Sequence, residues 1–150
     1  MEKVVIIIFF MRALYIHAKE FFYNPVKRTG LSVVEEVEPS SHRFKDVLVV
    51  FVSVEEGDFD RRGELIDAFI NDVSNHLNRL KVSSLVIYPY AHLSDRLEEP
   101  RKAVRLLKLI DRRMKGVLTG INYHRAPFGW YKEFMIHCLG HPLSELSRRF

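Results

Sequence analysis

The residues able to do chemistry in this chain are concentrated near its carboxyl end. Ala126-Pro127-Phe128-Gly129-Trp130-Tyr131-Lys132-Glu133-Phe134 leads to His137-Cys138 and then to Gly140-His141-Pro142-Leu143-Ser144-Glu145-Leu146-Ser147-Arg148. A second cluster, Tyr88-Pro89-Tyr90-Ala91-His92-Leu93-Ser94, directly follows an apolar run. That is where an α/β protein holds a ligand, outside the carboxyl end of a strand. The two clusters are expected to form two walls of one pocket. On an alternating strand Trp130, Lys132 and Phe134 share one face while Tyr131 and Glu133 take the other. A lysine among aromatics is either a desolvated, functional amine or a stem laid over apolar surface at a strand edge. His92 either positions a water or a sugar hydroxyl or caps nearby backbone. Glu145, read as lying in a short helical turn, is by itself a solvated charge or a cap.

His137, Cys138 and His141 put three borderline metal ligands within five residues. A closed zinc site needs a fourth ligand and a catalytic one needs three that converge, whereas neighbours on a strand point to opposite faces. No metal and no cofactor are expected. A Cys138–His141 or Cys138–His92 nucleophilic pair is weighed against an inert, buried cysteine. The chain has no Gly-rich phosphate loop, no Ser/His/Asp signature and no paired aromatics of the four-stranded RNA-binding type, which argues against nucleotide hydrolysis or kinase chemistry.

These residues need a scaffold. The stretch from Val4 to His17 predicts a strand buried on both faces, because its apolar residues run on instead of alternating. From Lys19 to Phe44 the pattern is mixed, with Asn24-Pro25, Thr29-Gly30 and Pro39-Ser40-Ser41 as turn signals around a strand at Leu31 to Val37. Asp46 to Val54 is the clearest buried strand. Leu65, Ile66, Phe69, Ile70, Val73, Leu77 and Leu80 form one helical stripe between Gly63 and Lys81. A strand at Ser83 to Tyr88 precedes a second amphipathic helix from Pro100 to Lys115, with Pro100 suited to its first turn. Val117 to Ile121 and Trp130 to His137 read as strands, and Pro142 to Ser147 as a short closing helix or turn. The result is an α/β domain with a β-sheet or barrel-like core packed with two amphipathic helices.

With 150 residues, 47% of them hydrophobic, the chain fits one globular domain, 1–150, that buries roughly two thirds of its unfolded surface. One cysteine excludes an internal disulfide and agrees with a reducing, cytoplasmic setting. The apolar run ending at Met11 is far short of the ~20 residues of a spanning helix, so no membrane partner is expected. Net charge is only +4, yet Arg61-Arg62, Arg101-Lys102, Arg105, Arg112-Arg113, Lys115 and Arg148-Arg149 are bunched. Such pairs follow a phosphate backbone or sit on an ordinary solvated surface.

Three segments carry a family resemblance: Tyr88 to Ser94, Ala126 to Lys132 and Gly140 to Arg148. With Met11-Arg12-Ala13-Leu14-Tyr15-Ile16-His17 as a first strand, they resemble, in order, the amino-terminal editing domain of archaeal threonyl-tRNA synthetase. The match runs from Met11 nearly to Phe150, leaving Met1 to Phe10 as an extension of the first strand or an upstream start. The resemblance implies a D-aminoacyl-tRNA deacylase-like fold and hydrolysis of serine wrongly attached to threonine tRNA. It places Lys132 in the editing pocket and Glu145 opposite it, to hold the amine and a water, and it draws His92 into the same site. It implies main-chain binding of the amino acid at Val54 and Ala91 and of the terminal adenosine near Phe128, with Tyr131 in the substrate-binding set. The ribose 2′-hydroxyl of that adenosine is expected to assist hydrolysis. Partners implied are the acceptor end of threonine tRNA carrying serine, a second copy in a homodimer, and a synthetase core in cis or in trans. A D-aminoacyl-tRNA deacylase and a non-catalytic tRNA-binding or dimerisation module are the alternatives.

Overall fold

The computed structural model describes residues 2–3 and 10–150. The strands are β1 (Arg12–Arg28), β2 (His42–Ser53), β3 (Ser84–Pro89), β4 (Asn122–Arg125), β5 (Trp130–Cys138) and β6 (Glu145–Arg149). The helices are α1 (Arg62–Leu80) and α2 (Pro100–Val117). The sheet runs β4-β3-β2-β1-β5, with β6 beside the first part of β1. The pairs β2–β3 and β3–β4 are parallel, each made by a helical crossover, whereas β1 is antiparallel to β2, β5 and β6.

The apolar run in β2 explains the two layers of core. Leu48, Val50 and Val52 point toward α1 and α2 and pack with Leu65, Phe69, Val73, Leu106, Leu107 and Ile110. Val47, Val49 and Phe51 point the other way and join Ala18, Phe21, Tyr23, Val86 and Tyr88. Each fully buried side chain of this kind contributes about 1.5–3 kcal/mol relative to exposure. Period-2 alternation thus builds a core on both faces of one strand. Lys81, left-handed at φ 57, ends α1, and Pro100 starts α2.

Four expectations change. The predicted first strand falls partly on residues 4–9, outside the described residues, and its described part alternates between buried (Ala13, Tyr15) and half-buried (Leu14, Ile16) positions. It also does not stop near Lys19. β1 continues through Asn24-Pro25 to Arg28, because its pairing with β5 absorbs irregularities at Ala18/Glu20 and Pro25/Lys27 as bulges, and Pro25 needs no ladder N–H there. Leu31 to Val37 forms no strand; this segment hangs on side-chain and backbone bonds described below. Val117 to Ile121 is the end of α2 and a loop, the strand being β4. The closing segment is not helical either: β6 pairs with β1 from Arg12↔Arg149 to Ile16↔Glu145, since an open edge of β1 offers ladder partners that a lone turn lacks.

The irregular segment after β1 is fixed against the turn before β5. Thr29 donates from both its amide and its hydroxyl to Gly129 O, each at 2.8 Å, and Glu35 N donates to Phe128 O at 3.0 Å. Gly129 has φ +89, and a Cβ there would lie 2.9 Å from Val34 Cα and 3.0 Å from Val33 O. Gly129→Ala therefore combines left-handed strain with a backbone clash and should destabilise the protein by about 1–3 kcal/mol or more. A urea unfolding midpoint equal to the wild type's would contradict this close approach.

Candidate active site

The carboxyl ends of β2 and β3 and the amino end of α2 enclose a cavity of about 470 Å³, closed on its other side by β5 and the turn before it. Its first wall is built around Ser53. The Ser53 hydroxyl donates to Tyr90 O and accepts from Leu93 N at 3.2 Å, while Tyr90 N donates to Val52 O at 2.8 Å. The turn Ala91–Leu93 is thereby stitched to the end of β2. The buried Glu98 carboxylate accepts from Gly57 N at 3.1 Å and Phe59 N at 3.3 Å, and Glu98 N donates to Val54 O at 3.0 Å. Pro100, Ala103 and Leu107 of α2 supply an apolar floor. Phe128, Gly129, Trp130, Tyr131, Lys132 and Phe134 form the opposite wall.

Lys132 is the one ammonium inside this apolar space among the described residues lining it. Its Nζ donates to Pro127 O at 2.9 Å and to Trp130 O at 3.2 Å and lies 5.0 Å from the centre of the Tyr88 ring. Two of its three N–H groups are thus committed, which leaves one for a ligand. Burial pulls its pKa down to about 8, with Glu35 opposing and Arg125 assisting that fall. Burial also pushes the Tyr88 phenol up, so that ring stays neutral.

The two carbonyls that hold Lys132 belong to a turn fixed by ionic bonds. Arg125, only 9% exposed, donates to Glu35 Oε1 at 2.5 Å and Oε2 at 2.8 Å, and through Nε to Asp111 at 3.0 and 2.8 Å. Glu35 Oε1 also accepts from Phe128 N at 2.8 Å, and Glu35 O accepts from Trp130 Nε1 at 2.8 Å. Guanidinium and carboxylate hold each other charged: Arg125 is pushed up, and despite its burial Glu35 is pulled below the usual carboxylate range. Sequence reasoning missed Glu35, Arg125 and Asp111. Glu35 lies in a segment misread as a strand and Arg125 in one left unread, Asp111 is the lone acid of a helix that was read correctly, and nothing local joins the three.

Of the expected site residues, Lys132, His92, Val54, Ala91, Phe128 and Tyr131 all line the cavity. His92 is exposed, with its ring edge-on to Tyr90 at 5.0 Å, and Tyr131 is 61% exposed. The amide and carbonyl of Phe128 are both bonded to Glu35. The structure does not bring Glu145 to this cavity. It stands exposed on β6 opposite Ile16 of β1, whereas Lys132 lies opposite Pro25 of the same strand, and no ion pair joins them among the described residues. The first and second walls come from the clusters at Tyr88 and Ala126; the stretch after Gly140 has another job. Leu143 N–H donates to His141 Nδ1 at 3.1 Å, which puts the proton of that ring on Nε2, facing His17 Nδ1 at 2.7 Å. His17 Nε2 then donates to Asp46 Oδ1 at 2.8 Å. Cys138 Sγ lies 3.6 Å from Ser144 Oγ. These residues fasten the segment before β6 to β1 and β2.

Glu35→Gln tests whether this network supports the amine. The exchange keeps an acceptor for Phe128 N but removes the charge that Arg125 grips. It should cost about 1–3 kcal/mol in a urea titration and move the Lys132 titration further below that of the wild type, since Glu35 is the group that raises it. Unchanged stability with an unchanged titration would show that Glu35 supports neither the turn nor the amine.

Residues 11–150 match the model of a family described as the archaea-specific editing domain of threonyl-tRNA synthetase. A threonine–tRNA ligase of Staphylothermus marinus is 44% identical over 140 residues, covering 92% of this chain and 22% of the ligase. Threonine–tRNA ligase editing subunits of Saccharolobus solfataricus and Aeropyrum pernix are each 43% identical, covering 93% of this chain and 34% and 32% of theirs. The chain therefore spans about a fifth to a third of the length of these relatives. The c-Myc DNA unwinding element binding protein superposes with a TM-score of 0.62 at 8% identity, over 91% of this chain and 97% of its own, and so shares its fold. The α/β architecture expected from the sequence, one sheet packed with two helices, is the architecture found.

Proposed function

The chain belongs to the archaea-specific editing-domain family of threonyl-tRNA synthetase, and on that premise we propose that it hydrolyses serine esterified to threonine tRNA. The observation that carries this reading is the cavity that places the Lys132 amine between Val54, Ala91 and His92 on one side and Phe128 on the other. Its volume suits an amino acid joined to an adenosine.

Serine is threonine less a methyl group, and one methylene is worth only about 1–3 kcal/mol in a synthetic pocket. A second pocket that rejects the larger side chain inverts the test, since a steric clash excludes threonine while serine enters and is cleaved. Val54 and Ala91 stand at the end of the cavity assigned to the amino acid. Water attacks the ester carbonyl carbon, the bond from that carbon to the ribose 3′ oxygen breaks, and the ribose oxygen takes a proton to leave serine and a free hydroxyl. The neighbouring 2′-hydroxyl assists by orienting the water. Lys132 contributes its remaining N–H to the oxygen that becomes negative in the tetrahedral intermediate, a positioned cation in an apolar space where it acts strongly. His92, at the exposed rim, orients water or ribose. Glu145 enters no step of this scheme. The substrate is the acceptor end of threonine tRNA. Action within a longer synthetase and action beside one are both supported by relatives that include whole ligases and separate editing subunits. A homodimer is part of the same proposal. No helix among the described residues is long and apolar enough to cross a membrane.

Single-turnover hydrolysis of L-seryl, L-threonyl and D-seryl esters of threonine tRNA tests the reading. The L-seryl ester should be cleaved at least ~100-fold faster than the L-threonyl ester. Persistence of the L-seryl ester would refute the proposal, and preferential loss of the D-seryl ester would replace it with a D-aminoacyl-tRNA deacylase. Lys132→Ala should slow cleavage by about 10²–10⁴-fold while cooperative unfolding persists; an unaffected rate would show that Lys132 takes no part in the chemistry.

Acidity supplies a further check. With its pKa lowered to about 8, the amine is charged below that value and neutral above it. After subtraction of the uncatalysed reaction, the rate should therefore fall as pH rises through about 8. A catalysed rate that climbs steadily to pH 10 would mean that the neutral amine, acting as a base, is the working form.

A further inference from the structure

The charge of this chain is not spread over it. Helix α2 holds seven Lys and Arg (Arg101, Lys102, Arg105, Lys108, Arg112, Arg113, Lys115) and one acid, Asp111, for a net +6. The whole chain has 23 Lys and Arg against 19 Asp and Glu, a net +4, so everything outside α2 sums to −2. The one acid is turned inward, accepting from Tyr123 Oη and Arg125 Nε.

On a helix of 3.6 residues per turn, Arg101, Arg105, Lys108, Arg112 and Lys115 fall within one narrow arc, at steps of four, three, four and three. The buried residues Ala103, Leu106, Leu107, Ile110 and Met114 occupy the opposite side. The five cations make a straight ridge about 21 Å long, with a charge every ~4.5–6 Å. A solvated helix face ordinarily alternates acids with bases, because like charges three and four residues apart repel. Here no acid lies on the ridge. Arg105 stacks on the Phe59 ring at 4.8 Å and Arg113, beside the ridge, pairs with Asp67 at 2.8 Å, whereas Arg101, Lys108, Arg112 and Lys115 are exposed and make no ion pair among the described residues.

The ridge also begins at the cavity. Pro100, Ala103 and Leu107, from the same helix, form its floor. A polymer whose terminal adenosine lies in the cavity must leave over the rim, and α2 forms part of that rim. We propose that the exposed ridge of α2, Arg101-Arg105-Lys108-Arg112-Lys115, is the track for the sugar-phosphate backbone of the RNA whose 3′ end enters the cavity. The inference rests on the deacylase reading above and adds to it the surface that grips the body of the substrate. A uniform row of cations matches a uniform row of phosphates, and it is read without regard to base sequence. An acidic protein surface, in which carboxylates alternate with other groups, is the competing occupant.

The test separates the ridge from the cavity. In the full chain, Arg101→Gln, Lys108→Gln, Arg112→Gln and Lys115→Gln are combined, and Arg105 is kept because it packs on Phe59. Two substrates are compared: seryl threonine tRNA and a short seryl oligonucleotide that ends in the same adenosine but lacks the stem. The variant should bind the tRNA at least ~30-fold more weakly at low salt, and its slope of log affinity against log salt should be shallower by about 2–4, as expected for the loss of several phosphate contacts. Its saturating rate on the short ester should stay within twofold of the wild type's. Unchanged tRNA affinity and salt slope would overturn the proposal and leave an acidic protein as the occupant of the ridge. Equal losses on both substrates would also overturn it, because the substitutions would then have damaged the cavity. Failure of the wild type to cleave either ester would instead refute the deacylase reading, with the tRNA affinities still deciding the fate of the ridge.

Discussion

A charged amine in apolar surroundings loses several kcal/mol of hydration unless the protein supplies dipoles in return. Lys132 meets that constraint with two main-chain carbonyls, Pro127 O and Trp130 O, and with the face of Tyr88. The carbonyls serve only if the turn carrying them cannot drift. That is the role of Glu35, which ties the turn at three points: Phe128 N, Phe128 O and Trp130 Nε1. Arg125 holds Glu35 in turn and is itself held by Asp111, which α2 brings to it. One amine in a dry site thus sets requirements on an irregular segment, an edge strand and a helix.

Fold and site are joined through β2 and α2. Because β2 is apolar on both faces, it shares one core with the helices and another with the aromatics of β1 and β3, so its carboxyl end is held from both sides. Val52, Ser53 and Val54 leave that end directly into the cavity wall. α2 buries one face against the sheet, floors the cavity with its first two turns and turns its cations outward. Few residues serve the site alone, which is economical in a domain of this size.

Long periodic elements were legible in the sequence, and ionic or edge-dependent ones were not. The stripes of α1 and α2 and the apolar run of β2 decide their own conformation through 3.6-residue and continuous patterns, and the structure has them within one or two residues at most ends. Lys132 and His92 stood out as candidates because aromatic-rich clusters lie next to strand ends, whereas Val54, Ala91, Phe128 and Tyr131 were drawn to the site by the family resemblance. Glu145 was drawn to the site by the family resemblance alone, and its segment, read as a closing turn, is a strand that the free edge of β1 recruits beside Ile16. β1 itself was cut short at His17, since the mixed pattern and the turn signal Asn24-Pro25 beyond it say nothing of the bulges that carry the strand to Arg28. The Glu35–Arg125–Asp111 network unites residues up to 90 positions apart, and no local pattern announces such a contact.

Direct titration of the Lys132 amine bears most squarely on this account. Nitrogen-detected NMR of protein labelled at lysine Nζ, assigned by comparison with Lys132→Ala, reads its protonation without reference to any substrate. The account predicts one lysine with a midpoint of about 8. A midpoint near the ordinary value of 10.5 for every lysine would show that the amine is solvated and would contradict the buried-cation site on which the rest depends.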